Sequence, residues 1–208
     1  MNSNRAILLA SASPRRRDLL DQIGVSYRVQ PADIDESPLP GEAAEPYTLR
    51  IAREKVIAGS GHRHEGEIVL AADTSVVVGD RMLGKPVDQD EAFDMLSILS
   101  GATHQVFTAV SVMNDRGRVE SCLKVSDVEF AEMGDEWIRA YIETGEPMDK
   151  AGAYGIQGWA GAQIRRVNGS YSSIMGLPLF ETAILLGNAG LRLPQIPEPA
   201  HKTRTLLN

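Results

Sequence analysis

Arg5-Ala6-Ile7-Leu8-Leu9-Ala10 runs directly into Ser11-Ala12-Ser13-Pro14-Arg15-Arg16-Arg17. The first part has the unbroken apolar character of a buried strand, Ser13 is a good N-cap, and Pro14 suits a first helical position. Leu19, Leu20 and Ile23 then continue a helical stripe. The junction therefore predicts a strand that turns at once into a helix. Free N–H groups at that helix start, two hydroxyls and up to three guanidiniums converge on one spot, a layout able to hold a polyphosphate. The same residues also read as an ordinary capped helix with solvated arginines, the reading that strand-to-helix pattern alone favours.

Outward from this junction the chain alternates strands and helices. Tyr27 to Pro31 reads as a short strand, and Ala32 to Glu45 as a loop carrying Asp33, Asp35 and Glu36. Pro46 starts a helix bearing Leu49, Ala52 and Val56, with Gly59 as its stop. Glu67 to Ala72 reads as a buried strand ending at Asp73-Thr74. A second β-branched run, Val76 to Val78, leads into a Gly79-Asp80 turn and a hairpin. Asp88 caps a helix through Ala92, Met95, Leu96 and Leu99. Asn114 to Gly117 joins strands Gln105 to Met113 and Arg118 to Phe130. A helix follows from Gly134-Asp135, then a glycine-rich stretch from Gly145 to Gly161, a strand from Gln163 to Val167 and a last helix from Pro178 to Leu186. The expectation is one α/β domain over 1–192, divisible into two lobes, and a Pro-containing, poorly ordered tail over 193–208.

A chain of 208 residues can bury a substantial core without outside help. Its formal net charge of -7 argues against a general nucleic-acid binder and turns the local basic cluster toward a small anionic ligand. A single cysteine, Cys122, excludes an intramolecular disulfide and a cysteine-rich zinc site. No secretory signal pattern is evident, and no apolar run approaches the roughly 20 residues of a membrane helix, so a soluble cytoplasmic protein is expected.

Asp73, at the expected strand end, is a candidate to ligate a divalent metal or take a proton from water; the competing reading is an ordinary turn aspartate. If folding brings Glu36 to Asp73, the pair suits Mg²⁺, with water and phosphate oxygens completing the shell. Lys55 and Lys85 are candidate phosphate partners, although a solvated lysine is the default. In Asp149-Lys150-Ala151-Gly152-Ala153-Tyr154-Gly155-Ile156-Gln157-Gly158, small residues allow close backbone approach. Tyr154 suits a stacked ring and Gln157 a base edge, against a tight structural turn. His62 and His64 read as exposed, and His104 as structural. The P-loop, GxGxxG and HExxH patterns are absent, and Ser11 and Ser13 lack a triad signature.

Together, SASPRR at 11–16, LRIAREK at 49–55, AADT at 71–74, GKP at 84–86, LSG at 99–101, EPMDKAGAYGIQG at 146–158, NGSY at 168–171 and GLPL at 176–179 resemble the Maf family of nucleoside triphosphate pyrophosphatases, from about Ile7 to Leu186. The resemblance implies a mixed, twisted sheet flanked by helices, two lobes around a central cleft, and a homodimer. It also implies attack of water on the α-phosphorus of a nucleoside triphosphate, releasing monophosphate and pyrophosphate. By motif, Asp73 is the catalytic acidic residue and Glu36 its partner at a Mg²⁺ or Mn²⁺ site, while Ser11, Ser13, Arg15, Arg16, Lys55 and Lys85 surround the triphosphate. Arg15, Thr74 and Gln157 match the branch similar to dTTP and UTP pyrophosphatases, which implies those substrates and modified pyrimidine nucleotides. A nucleotide-binding regulator of septum formation is the alternative the same family carries.

Overall fold

The computed structural model describes residues 6–193. The tail expected over 193–208 therefore lies, from residue 194 on, outside the described residues. Strand β1 (Ile7–Leu9) leads into helix α1 (Pro14–Gln22), then β2 (Tyr27–Val29), α2 (Ala44–Ser60), β3 (Ile68–Val78), β4 (Arg81–Leu83), α3 (Gln89–Leu99), β5 (Thr103–Met113) and β6 (Val119–Phe130). Helix α4 (Asp135–Glu143), three short 3₁₀ turns, β7 (Ile164–Asn168), α5 (Tyr171–Ile174) and α6 (Leu179–Asn188) complete the order. The strands form one mixed sheet in the order β2-β1-β3-β5-β6-β7, with β4 on β3. β1 pairs in parallel with β2 and β3; the other pairs are antiparallel.

Side-chain alternation explains why this sheet is covered on both faces. In β1 and β3, Ile7, Leu9, Ile68, Leu70 and Ala72 join one cluster with Leu19 and Leu20 of α1 and Leu185 and Leu186 of α6. Leu8, Ala10, Val69 and Ala71 point the other way, onto Val56 of α2. A third cluster gathers Val76, Leu83, α3, Phe130, α4 and the glycine-rich turns around the other end of β3 and β5. The long strands β3 and β5 thus run through more than one core.

Several local expectations resolve differently. α2 extends to Ser60, so Gly59 is an internal contact and not a stop. A Cβ at Gly59 would lie 2.6 Å from Ala10 Cβ, so glycine there lets the helix approach the sheet closely. Ser13 occupies the N-cap position but makes no side-chain cap bond; its N–H instead donates to Ser11 Oγ at 3.3 Å. Asp88 does cap α3, accepting from Glu91 N at 2.8 Å while Glu91 Oε2 accepts from Val87 N at 2.7 Å. The main correction concerns Asp73. β3 does not end there, because pairing with β5 continues through Asp73↔Ala109 to Val77↔Gln105.

His104 is structural, as its sequence context suggested. It is buried, stacked on Phe130, and its Nε2 lies 2.8 Å from Tyr154 Oη, with Nδ1 unpartnered among the described residues. Burial holds its pKa down at about 4. As pH falls below about 6.5, the unfolded chain takes up this proton and the native state does not until near pH 4. Acid therefore removes stability in that window, on the order of 3 kcal/mol from this group. His104→Gln, which retains hydrogen-bonding capacity, should show a shallower fall in Tm than the parent between pH 7 and 4. Parallel curves would remove His104 from the acid response.

Candidate active site

The sheet itself supplies the site, because β1 stops short. Pairing of β1 with β3 ends at Leu9↔Leu70 and the Ala10 N–H bond to Leu70 O, and β4 joins β3 on that side only from Val76↔Leu83. The intervening segment of β3 is paired with β5 alone. This notch makes a mid-strand aspartate accessible to ligand. Around it opens a cleft of about 800 Å³, lined by the Ala10–Arg16 turn, Asp73–Val76, Met82–Lys85, part of the acidic loop and the Asp149–Ile156 stretch. Arg15, Arg16, Lys55, Lys85 and Lys150 line it against Glu36, Asp73 and Asp149, so a chain of net charge -7 concentrates positive charge here.

Alternation along β3 places Asp73 on the α2 face with Val69 and Ala71. There α2 presents Lys55, whose Nζ donates to Asp73 Oδ1 at 2.9 Å and to Glu36 Oε2 at 2.7 Å. The Lys55 and Asp73 side chains are only 11% and 10% exposed, while Glu36 is 49% exposed and bridges toward solvent. The ammonium therefore joins the two carboxylates whose meeting the sequence left conditional. Tyr47 Oη donates to Glu36 O at 2.8 Å, and Arg50 ties the acidic loop to α2 by donating to Glu42 and to Ser37 O. Hydrogen bonding by Arg50 holds Glu42 down at about 2. Burial, followed by the nearby Asp73 and Glu36 charges, raises Tyr47 to about 12.

Thr74 faces the other side, toward α1 and α6. Arg16 Nε donates to Gly176 O at 2.8 Å, Nη1 to Ser11 Oγ at 2.9 Å and Nη2 to Thr74 Oγ1 at 3.4 Å. Burial lowers the Arg16 pKa from its ordinary value, with Asp73 opposing the shift; arginine remains a cation. Arg15 Nη1 is 3.9 Å from Asp149 Oδ2, and Lys150 Nζ is 2.6 Å from Asp149 Oδ1. Lys85 is exposed at the cleft and has no ion pair among the described residues. Ser13 lines the cleft, whereas Arg17 is exposed outside it.

Ser11, Ser13, Arg15, Arg16, Glu36, Lys55, Asp73, Thr74 and Lys85 are thus gathered in one cleft. Gln157 is not among the lining residues; it is exposed, one position beyond Ile156, which does line the cleft. Tyr154 is buried with its hydroxyl turned to His104, so it serves as packed wall. Sequence reasoning missed the Gly176 carbonyl that fixes Arg16, the Tyr47 contact to the acidic loop, and Asp149 as the partner of Arg15. None has a local chemical signature, although the Asp149-Lys150 pair was visible.

The donor set can be tested against a divalent ion. Among the described residues, no cluster of three or more His, Cys, Asp or Glu residues forms a protein cage. Glu36 and Asp73 are brought together by the Lys55 ammonium, which engages Oε2 of one and Oδ1 of the other and leaves each carboxylate its second oxygen as a ligand. Magnesium sites of this type take one or two carboxylates and leave the remaining positions to phosphate and water, so the pair fits.

A mixed α/β sheet notched around paired carboxylates and a cation-rich cleft defines a class of polyanion-binding α/β protein with an acidic centre suited to hydrolysis. Within that class, residues 6–189 match the family described as Maf-like protein, and the chain belongs to the Maf family. It is 50% identical over 191 residues to a dTTP/UTP pyrophosphatase of Anaeromyxobacter dehalogenans (strain 2CP-1 / ATCC BAA-258), covering 90% of this chain and 96% of that one. It is 54% identical over 192 residues to the dTTP/UTP pyrophosphatase of Anaeromyxobacter sp. (strain Fw109-5), covering 90% and 91%. Among solved structures, a HAM1 protein from Coxiella burnetii aligns with a TM-score of 0.47 and 16% identity over 88% of this chain and 99% of that one.

Proposed function

We propose that this chain is a nucleoside triphosphate pyrophosphatase that hydrolyses dTTP and UTP, with modified pyrimidine nucleotides as further substrates, to the monophosphate and pyrophosphate. The observation that carries the reading is Lys55 bonded to both Glu36 and Asp73 at the floor of the cationic cleft. Relatives about half identical over most of the chain, named as dTTP/UTP pyrophosphatases, support it and favour catalysis over the septum-regulator alternative.

The residues divide the work. Lys55 holds Asp73 Oδ1, and Oδ2 has no hydrogen-bond partner among the described residues. Oδ2 takes the proton of a water as its oxygen bonds to the α-phosphorus. The bond from that phosphorus to the α–β bridging oxygen breaks, and its electron pair leaves with pyrophosphate. Arg16 uses three donor contacts to Gly176, Ser11 and Thr74, and its remaining N–H groups, with Arg15 and Lys85, bind phosphate oxygens. Glu36 and Asp73 would hold Mg²⁺ or Mn²⁺, which when bound neutralises phosphate charge. Arg15 and Thr74 at the cleft wall are assigned to base selection, together with Gln157, one position beyond the cleft-lining Ile156.

A nucleotide panel tests the assignment. With Mg²⁺ or Mn²⁺, UTP and dTTP should yield equal amounts of monophosphate and pyrophosphate, and EDTA should abolish turnover. Release of orthophosphate alone would contradict the reaction, and undiminished turnover in EDTA would contradict the metal assignment.

A further inference from the structure

We infer that Thr108, which does not itself line the cleft, is a positioning residue that fixes the Thr74 hydroxyl as a hydrogen-bond acceptor toward the substrate and so selects uracil and thymine over cytosine. The inference rests on the pyrimidine reading above and adds the means of discrimination. Thr108 is fully buried on β5, directly across the sheet from Thr74. Its hydroxyl has one proton, and Ser173 O, which can only accept, lies 2.7 Å away. That proton is committed to the carbonyl.

The second contact, Thr74 Oγ1 to Thr108 Oγ1 at 3.2 Å, must then be donated by Thr74. Arg16 Nη2, a pure donor, approaches the same Thr74 oxygen at 3.4 Å and fits only if that oxygen accepts. Three contacts therefore set one direction, from Arg16 to Thr74 to Thr108 to Ser173. Thr74 has no proton left to offer the cleft and presents only lone-pair density. Phosphate oxygens are acceptors and cannot pair with it, so its complement is a donor on the base or sugar. dTTP and UTP share two such donors, the 3′-hydroxyl, which CTP also carries, and the imide N3–H, which CTP lacks; the selection inferred here assigns Thr74 Oγ1 to the N3–H. Cytosine has a lone pair at that ring position, and two acceptors facing each other are disfavoured.

The test is the ratio of kcat/KM for UTP to that for CTP, with Tm recorded for each protein. Thr108→Val keeps the shape, removes the acceptor that holds the Thr74 proton, and should lower the ratio by about tenfold, the worth of one directed hydrogen bond. Thr108→Ser should retain the parent ratio. Thr74→Val, which leaves the Thr108 to Ser173 bond in place, should lower the ratio as Thr108→Val does and decides the matter if Thr108→Val does not fold. A merely structural role for Thr108 would depress Tm and both substrates together, leaving the ratio unchanged, and that result would overturn the inference. So would an unchanged ratio in Thr74→Val, or a parent enzyme that hydrolyses UTP and CTP equally. Failure of the parent to release pyrophosphate from UTP would instead overturn the underlying functional reading.

Discussion

Asp73→Asn lowers kcat for UTP hydrolysis by roughly 10³-fold, about 4 kcal/mol of barrier, while KM changes little. The asparagine carbonyl still accepts from Lys55 Nζ in place of Asp73 Oδ1, so the floor of the notch keeps its geometry. What disappears is the oxygen that takes the proton from water and half of the carboxylate pair that would hold the metal. Circular dichroism and Tm should remain close to the parent. Steady-state kinetics of pyrophosphate release measures the effect, and a variant retaining a tenth or more of the parent kcat would remove Asp73 from the chemical step.

Lys55→Met is expected to damage both fold and activity. Lys55 is the only described cation bonded to Asp73, and both side chains are about nine-tenths buried. Removing one member of such a pair leaves a carboxylate without its counter-charge, facing Glu36 at a position where the two had shared one ammonium. The expected cost is about 3 kcal/mol, with at least a 100-fold loss of kcat. The sign of the coupling is informative. Asp73→Asn combined with Lys55→Met removes the stranded charge, so the double variant should be more stable in urea than Lys55→Met alone. Additive destabilisation would mean that the ion pair is not what Lys55 contributes to stability.

The strand-to-helix junction at Ile7–Gln22, the Asp88-capped helix and the Asn114–Gly117 hairpin are legible in the sequence because each is set by neighbours a few residues away. In the hairpin, Asn114 Oδ1 accepts from both Arg116 N and Arg118 N, a turn chemistry written into one residue. Asp73 was found for a partly mistaken reason. The polar pair Asp73-Thr74 interrupts an apolar run and reads as a strand end, whereas the strand continues and its neighbour stops. That gap belongs to β1 and β4, not to β3, and local pattern cannot reveal it.

The cleft shows the same division. Residue types identified the cations and carboxylates, but Glu36, Lys55 and Asp73 meet only because α2 packs on the odd-numbered face of β3. Gly59 looked like a terminator because its role, close approach to Ala10, lies across the sheet. Thr108 and the Gly176 carbonyl had no signature at all: one is a threonine in a β-branched strand, the other a backbone oxygen. Both matter through hydrogen-bond direction in three dimensions.

The position of water attack is the central claim, and hydrolysis of UTP in H₂¹⁸O tests it most directly. Attack at the α-phosphorus, with the proton passing to Asp73, places the ¹⁸O in UMP and leaves the released pyrophosphate unlabelled by mass spectrometry. Label in the pyrophosphate with unlabelled UMP would mean attack at the β-phosphorus and would contradict the account.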